Sequence, residues 1–316
     1  MDFHNTDDSV TRRIRAITDR VAMAKANDLY YYNQPVEEIL PGMKVRVNGR
    51  EMGMYASYSY LGLVNHPRIN AAAKAAVDKF GTGTHGVRSL AGTLTIHTEL
   101  EETIANFKHA EAALTYSSGY ASNLSVVSTM MGRGDYVLSD KLNHASIVDG
   151  CLMSGAEFRR FRHNDMAHLE TMLQNVPDGA AKMVIADSVF SMDGDIIDLP
   201  KVIELTKKYH AWLMIDEAHS VGVLGKRGTG IEEHFGLGDV IDIKMGTLSK
   251  TIPSVGGYVA AHKEIVTYLR HASRAYIFSA ALPPAQAAAA NEAFKVILDE
   301  PERIEKLNLN TKQFIT

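Results

Sequence analysis

The sequence predicts an α/β protein with a mostly parallel central sheet and helices on both faces of that sheet. From Pro67 onward, short apolar runs fall between segments with helical periodicity, and repeated strand–helix–strand units favour parallel strands. None of the apolar runs alternates strictly with polar residues, which is typical of strands covered on both faces. The predicted strands are Ala112–Tyr116, Tyr136–Leu138, Met183–Ala186, Trp212–Ile215, Val240–Met245 and Tyr258–Ala261.

The first part of the sequence predicts an N-terminal arm followed by a hairpin. Residues 1–35 are expected to form a surface arm with a basic helical stretch around Thr11–Ala26. Asn48-Gly49 suits the tight type I′ turn of a hairpin, whose strands would be Lys44–Val47 and Glu51–Tyr55.

Helical periodicity is clearest in two segments before the first strand of the sheet and in one near the end of the chain. The last pattern follows Pro283-Pro284, is interrupted at Pro301 and stops at Thr316, which predicts the start of an incomplete C-terminal small domain. The first two apolar faces consist of Ile69, Ala73, Ala76, Val77 and Phe80, and of Leu100, Ile104 and Phe107. The predicted divisions are residues 1–56 for the arm and hairpin, 57–285 for a large domain and 286–316 for the small domain.

Composition and charge exclude several classes of protein. The chain has 316 residues, 46% of them apolar, and a formal net charge of −4, so no general affinity for nucleic acid is expected. No apolar run is long enough to span a membrane, and the acidic, polar start MDFHNTDDSV does not predict a signal peptide. A single cysteine, Cys151, excludes an internal disulfide framework and a cysteine-rich zinc cluster. A soluble cytoplasmic protein without a metal site is expected.

One glycine-rich segment matches a known fingerprint but is rejected. Residues 81–86 have the spacing G-x-G-x-x-G of dinucleotide-binding proteins. That mechanism needs a strand before the glycines and a helix after them, whereas the preceding residues 69–80 are predicted to be helical. A turn or a substrate-facing loop is predicted here instead.

Polar residues follow each of the first three predicted strands, at the edge where open parallel sheets bind ligands. Residues 117–123, SSGYASN, open a helix whose start can bind phosphate, although an ordinary capped helix start explains them equally well. His144 can stack on a flat heteroaromatic ring, but a lone histidine is more often structural. Ser191 can hydrogen-bond a phenolic oxygen, while Asp193-Gly194 beside it is also a turn signal.

Asp216 and Lys250 follow the next two predicted strands and are stronger indications of a functional site. An aspartate directly after a buried strand is costly unless it is paired, and a pyridinium nitrogen is a fitting partner. The alternatives for Asp216 are a helix N-cap or a Mg²⁺ ligand, and no phosphate-binding G-x-x-x-x-G-K motif accompanies the second. Lys250, behind the hydroxyls of Thr247 and Ser249, can be a desolvated Schiff-base nucleophile rather than a surface lysine. A phosphate-binding helix start, a stacking histidine, an aspartate and a lysine follow one another along the chain, and this order fits one cofactor that lies across one edge of the sheet.

From about Tyr55 to Pro284, the chain resembles the α-oxoamine synthases, which are pyridoxal-phosphate (PLP) enzymes of the fold type I transferases. The motifs that carry the resemblance are SYLGL (59–63), GTHGVRSLAGT (83–93), SSGYASN, DKLNHAS, VFSMDGD, IDEAHSVGVLG (215–225), GTLSK and FSAALPP (278–284). In one departure from the family, Tyr58 stands where several members carry an asparagine. In another, the arginine of the family's C-terminal domain has no counterpart before Thr316.

The resemblance implies a role for each candidate residue. Lys250 would carry PLP and move the α-proton of the substrate, Asp216 would pair with the pyridine nitrogen, and His144 would stack on the ring. The other implied cofactor contacts are Ser191 and His219 near the phenolic oxygen, Thr247 with the amides of Gly119 and Tyr120 at the phosphate, and Ser279 at the phosphate of a partner subunit.

The chemistry that the resemblance implies is a decarboxylative Claisen condensation. A small amino acid would react with acyl-CoA or an acyl carrier protein, and carbon dioxide would leave. A homodimer with a shared active site is expected. Two alternatives stay open, namely another PLP reaction on the same fold, such as that of an aldolase or aminotransferase, and a non-catalytic subunit. The joint presence of Lys250, Asp216 and His144 disfavours the second.

Overall fold

The computed structural model describes residues 7–315. Residues 1–6 and the final residue, Thr316, lie outside the described residues. Residues 1–6 belong to the predicted arm and make up most of the N-terminal segment in which no signal peptide was predicted. The chain divides into two compact units, Met1–Ser57 and Tyr58–Thr316. The predicted division between residues 285 and 286 falls inside the second unit and stays a prediction.

The first unit contains one helix and a small antiparallel sheet. Helix α1 begins after Asp8, whose carboxylate accepts backbone N–H groups of the first turn at 2.8 Å. Asn48 and Gly49 have φ values of 50° and 71°, as a type I′ turn requires, so the predicted hairpin is confirmed. A three-residue edge strand was absent from the prediction. The elements are α1 (Ser9–Ala26), β1 (Glu38–Leu40), β2 (Lys44–Val47) and β3 (Arg50–Gly53).

The second unit is built on a seven-stranded sheet with the order β4-β10-β9-β8-β7-β5-β6. Four of the neighbouring pairs are parallel, whereas β10 is antiparallel to both of its neighbours. The mostly parallel sheet predicted from the sequence is confirmed. The strands are β4 (Ala112–Tyr116), β5 (Tyr136–Asp140), β6 (Glu157–Phe161), β7 (Lys182–Asp187), β8 (Trp212–Asp216), β9 (Ile243–Thr247) and β10 (Gly257–Ala261). The helices are α2 (Pro67–Phe80), α3 (Thr95–Phe107), α4 (Gly119–Met130), α5 (Ala145–Ser154), α6 (Met166–Gln174), α7 (Leu199–Lys208), α8 (Ile231–His234), α9 (Lys263–Ala272), α10 (Arg274–Ile277), α11 (Pro284–Asp299) and α12 (Glu302–Ile315).

Helices cover both faces of the sheet, and the central strands show why their sequences lack alternation. Along β7, Met183 and Ile185 pack in one hydrophobic cluster with side chains of α4 and α5. Val184 and Ala186 between them pack in another cluster with side chains of α6 and α7. Since successive side chains point to opposite faces, both faces of this strand must be apolar.

Three local predictions were wrong for identifiable reasons. Strand β6 was missed because its sequence EFRRF is charged, as an edge strand can be. Strand β9 begins three residues later than predicted because the Glu232 carboxylate accepts the amides of Val240 and Ile241, which are then unavailable to the sheet. Val77 is 38% exposed rather than buried with its helix face.

The glycine-rich segment that matches the dinucleotide fingerprint begins at the end of a helix, so its rejection is confirmed. Gly81 is the C-cap of α2 with φ 78°, a conformation that favours glycine at a helix end. Within residues 7–315, no helix has both the length and the apolar character that crossing a membrane requires.

Candidate active site

A cavity of about 250 Å³ lies at the carboxyl ends of β5, β7, β8 and β9. This is the edge at which the sequence predicts a ligand. Seven of the predicted site residues line it, namely Gly119, Tyr120, His144, Asp216, His219, Thr247 and Lys250. The other residues around it are Ser118, Asn123, Ser146, Asp187, Ala218, Met245 and Ser249.

Two predicted site residues are not among those that line the cavity. Ser191 is exposed in the turn that follows β7. Ser279 is half-buried, and its hydroxyl donates to Ser117 Oγ at 3.3 Å, two residues before Gly119. The cofactor roles of both serines stay predictions.

The start of helix α4 forms one wall of the cavity. Ser118 caps this helix by accepting the N–H of Ala121 at 3.0 Å, which leaves the amides of Gly119 and Tyr120 to point out of the first turn. A Cβ atom added to Gly119 would lie 3.1 Å from Thr247 Oγ1, so this hydroxyl is close to the helix start. Amides, a hydroxyl and the positive end of a helix dipole together favour an anionic group such as phosphate.

Asp216 and His144 are connected by a chain of hydrogen bonds. Asp216 is only 5% exposed, and its carboxylate accepts Asn123 Nδ2 at 2.7 Å and the Ala218 N–H at 2.9 Å. Asn123 Nδ2 also donates to Ser146 Oγ at 2.9 Å. Ser146 Oγ lies 2.7 Å from His144 Nδ1, which also accepts the Ser146 backbone N–H. Nδ1 is therefore the acceptor nitrogen of His144, and Nε2 is left to carry the ring proton.

Lys250 follows β9 and extends its amine into the cavity. Its Nζ atom lies 2.7 Å from His219 Nε2 and 5.7 Å from the ring centroid of Tyr58. Burial lowers the pKa of the Lys250 amine, while Asp216 and, when it is ionised, Asp187 oppose that shift. A lowered pKa increases the share of uncharged amine, which is the nucleophilic form.

His219 lies between Lys250 and a tyrosine that the sequence did not single out. Its Nδ1 atom is 2.7 Å from the hydroxyl of Tyr60. Burial, with the nearby Lys250 and His144, lowers the pKa of His219 to about 4, so the ring is uncharged at pH 7. Burial also raises the pKa of Tyr60 to about 12, and the phenol therefore keeps its proton.

Four residues of the site escaped the sequence reasoning: Tyr60, Asn123, Ser146 and Asp187. Asn123 and Ser146 lie near the starts of α4 and α5, where asparagine and serine are common for local reasons and give no signal. Asp187 ends a buried apolar strand, as Asp216 does, so the same argument would have identified it.

The residues of the cavity fit PLP. They offer an amine for its aldehyde, a buried carboxylate for its pyridine nitrogen and an anion-binding helix start for its phosphate. Asp187 Oδ1 and Asn123 Oδ1 are buried and have no hydrogen-bond partner within residues 7–315. Buried polar atoms are seldom left unpaired, so both are consistent with a site that a polar ligand completes.

Comparisons with known proteins agree with this chemistry. The family model for aminotransferase class I and II matches residues 54–316. The chain is 46% identical over 277 residues to 8-amino-7-oxononanoate synthase 1 of Bacillus velezensis, covering 88% of this chain and 71% of that protein. It is 42% identical over 287 residues to serine palmitoyltransferase of Sphingobacterium spiritivorum, covering 91% and 72%.

A solved structure is similar over nearly the whole chain. Serine palmitoyltransferase from S. paucimobilis, solved with a bound PLP–myriocin aldimine, matches with a TM-score of 0.92 at 35% identity, covering 96% of this chain and 79% of that one. With its site geometry and these relatives, the chain belongs to the aminotransferase class I and II family and, within it, to the α-oxoamine synthases, which are PLP-dependent acyltransferases.

Proposed function

We propose that this enzyme joins a small amino acid, such as glycine, alanine or serine, to an acyl group carried by CoA or by an acyl carrier protein. Carbon dioxide and the free thiol would be released. The observation that carries this proposal is the single cavity that brings Lys250, Asp216, His144 and Thr247 together at one sheet edge. The proposed place of action is the cytoplasm, where both kinds of acyl donor occur.

Three residues would handle protons and orientation in this reaction. When bound, PLP supplies an electron sink for the negative charge that develops on the α-carbon of the amino acid. Asp216 would hold a proton on the pyridine nitrogen, supported by the donors Asn123 and Ala218, which fix its carboxylate. Lys250 would take the α-proton, because burial favours its uncharged form. His144 would pack on the ring face with its orientation set by Ser146.

The remaining contacts would bind the cofactor. Gly119, Tyr120 and Thr247 would hold the phosphate, since they surround the start of α4. His219 would lie near the phenolic oxygen, as it is uncharged and next to Lys250. Ser191 would approach the same oxygen, and Ser279 would reach the phosphate held by a partner subunit.

We propose a homodimer in which the two active sites share an interface. Leu90, Met192 and Phe278 are large apolar side chains that are 84%, 91% and 74% exposed. Leu90 and Phe278 lie on segments held together by the hydrogen bond from the Ala281 N–H to Gly86 O at 3.1 Å. Burial of these side chains by a second copy would explain their exposure in a single chain.

The reaction can be tested with a panel of amino acids and acyl thioesters. Purified enzyme with PLP should release carbon dioxide and free thiol in equal amounts with at least one pair of substrates. Lys250→Ala should release neither, and borohydride reduction should attach PLP to Lys250 of the unmodified chain, as read by mass spectrometry. Cleavage of β-hydroxy amino acids without a thioester, or amino-group transfer to a keto acid, would instead show a different PLP reaction.

A further inference from the structure

A second buried carboxyl group lies beside Asp216 and has no assigned role. Strands β7 and β8 pair in register, so that Asp187 lies directly opposite Asp216. Paired residues of neighbouring strands are about 4.8 Å apart and point to the same face of the sheet. Both line the cavity, and they are 6% and 5% exposed. Two carboxylates this close and this buried are costly to ionise together.

The hydrogen bonds of the two groups differ. Asp216 accepts Asn123 Nδ2 and the Ala218 N–H, one on each oxygen, and such donors favour the ionised form. Asp187 Oδ1 has no partner within residues 7–315, although it lies in the wall of the cavity. The same carboxyl group is near the backbone N–H of His144. The environment therefore divides the pair into one charged and one neutral member.

We propose that Asp187 is the neutral member of this pair at pH 7 and donates a hydrogen bond into the cavity, while Asp216 carries the negative charge. The ligand atom that meets Asp187 is then an acceptor, such as a phenolic or carboxylate oxygen, rather than an N–H or O–H group. The identity of that oxygen rests on the proposed function, whereas the protonation of Asp187 does not.

The charged groups around Asp187 support this assignment. Burial and the charge of Asp216 on β8 raise the pKa of Asp187 well above its ordinary value, and Asp140 on β5 acts in the same direction. Lys250, which follows β9, and the His144 N–H oppose the shift.

Infrared difference spectroscopy tests the protonation directly. The spectrum of the PLP-loaded enzyme at pH 7 should contain the carbonyl stretch of a protonated carboxylic acid, sensitive to D₂O and absent from Asp187→Asn. Asp165→Asn is the control, because Asp165 does not line the cavity and accepts the His168 N–H at 2.9 Å and Arg162 Nε at 2.8 Å, which lower the pKa of its carboxyl group. Loss of a carboxylate band, rather than an acid band, in Asp187→Asn would overturn the proposal.

A second measurement needs no variant at position 187. With ¹³C-labelled aspartate carboxyl groups in the native sequence, one resonance should keep the chemical shift of the protonated acid at pH 7. If every aspartate resonance has the shift of a carboxylate at that pH, Asp187 is charged and the proposal fails. Both spectra can be recorded on an enzyme that turns over no thioester. A failure of the proposed reaction can therefore be distinguished from a failure of the proposed protonation of Asp187.

A binding experiment tests the hydrogen bond. Asparagine at position 187 still offers an N–H donor, so the dissociation constant of PLP should change by less than about threefold in Asp187→Asn. Asp187→Ala, which offers none, should bind PLP roughly tenfold more weakly. Equal affinities for the two variants, with unchanged circular dichroism, would contradict a donor role.

Discussion

At the scale of single residues, Asn123 connects the buried Asp216 carboxylate to the residues that orient His144. Its amide group donates to Asp216 at 2.7 Å and to Ser146 at 2.9 Å, and thereby joins the aspartate to the histidine. Asn123→Ala should weaken PLP binding by roughly tenfold, because a hydrogen bond to a buried charge contributes ~1.4 kcal/mol or more. Absorbance titration of the apoenzyme with PLP measures this.

A matched control for Asn123→Ala is available on the surface. Asn175 is exposed, and its side chain donates only to a carbonyl of its own helix, Thr171 O, at 2.7 Å. Asn175→Ala should leave the dissociation constant unchanged. If Asn123→Ala binds PLP as tightly as this control, the hydrogen-bonded link between Asp216 and His144 does not support the cofactor.

His163 gives a prediction about pH. Its Nδ1 lies 2.9 Å from Asp140 Oδ1 and its Nε2 lies 2.6 Å from Asp195 Oδ2, so both nitrogens must carry protons to donate. Burial lowers the pKa of His163, but the two carboxylates outweigh burial and raise it overall. A raised pKa means that the stabilisation is complete below the unfolded value, about 6.5, and is lost as pH rises through the folded value.

The measurement is the free energy of unfolding of His163→Gln relative to the native sequence. The variant should be less stable by about 1–2 kcal/mol at pH 6, and this difference should shrink at pH 9. His271→Gln is the control, since that ring is exposed and bonds to Thr267 O in its own helix. A stability difference that is the same at both pH values would show that His163 is not charged in the folded chain.

Whether a site residue could be predicted from the sequence depends on how far along the chain its contact partner lies. Asp216 and Lys250 could be predicted because each follows an apolar strand, where a charged side chain needs a reason. Asn123 could not, because its partner Asp216 lies 93 residues away and only the fold brings them together. The same holds for Tyr60, which is 159 residues from His219.

At the scale of elements, the antiparallel strand β10 determines how close α4 can approach the sheet. A Cβ atom on Gly257 would lie 2.5 Å from Ser122 Oγ and 2.6 Å from the Cα of Gly119. Gly257→Ala should therefore push the start of α4 away from the sheet, destabilise the chain by about 1–3 kcal/mol and weaken PLP binding. Thermal unfolding and the PLP titration measure the two effects.

Gly238→Ala serves as the control for this substitution. A Cβ atom at Gly238 meets nothing within 4 Å, and no positive φ is required there. This variant should unfold and bind PLP as the native chain does. Normal PLP affinity in Gly257→Ala would mean that the contact between β10 and α4 does not position the phosphate site.

Strands were predictable where both of their faces are buried, and less so at the edges of the sheet. The central strands were identified because both faces of each are apolar. Strand β6 lies at the edge of the sheet and pairs with β5 alone among the described strands. Arg160 is exposed there and Arg159 lies over the Tyr136 ring, so the sequence of β6 lacks an apolar signal. The reversed direction of β10 depends on the path of the chain between β9 and β10, which apolar patterning does not encode.

At the scale of the whole molecule, the exposed apolar side chains near the cavity lead to the last prediction. If Leu90 and Phe278 lie in a dimer interface, Leu90→Arg should raise the dimer dissociation constant by about 30-fold or more, because a buried charge without a partner is costly. PLP affinity should fall with it, since Ser279 beside Phe278 is expected to reach the partner's phosphate. Sedimentation velocity over a range of concentrations measures the first effect.

The control places the same charge on an exposed side chain that does not line the cavity. Leu309 on α12 is 67% exposed, and Leu309→Arg should change neither the sedimentation coefficient nor the PLP affinity. A native enzyme that sediments as a monomer at full activity would contradict the shared site. In that case Leu90 and Phe278 would need another partner, and the phosphate would be held by Gly119, Tyr120 and Thr247 of one chain alone.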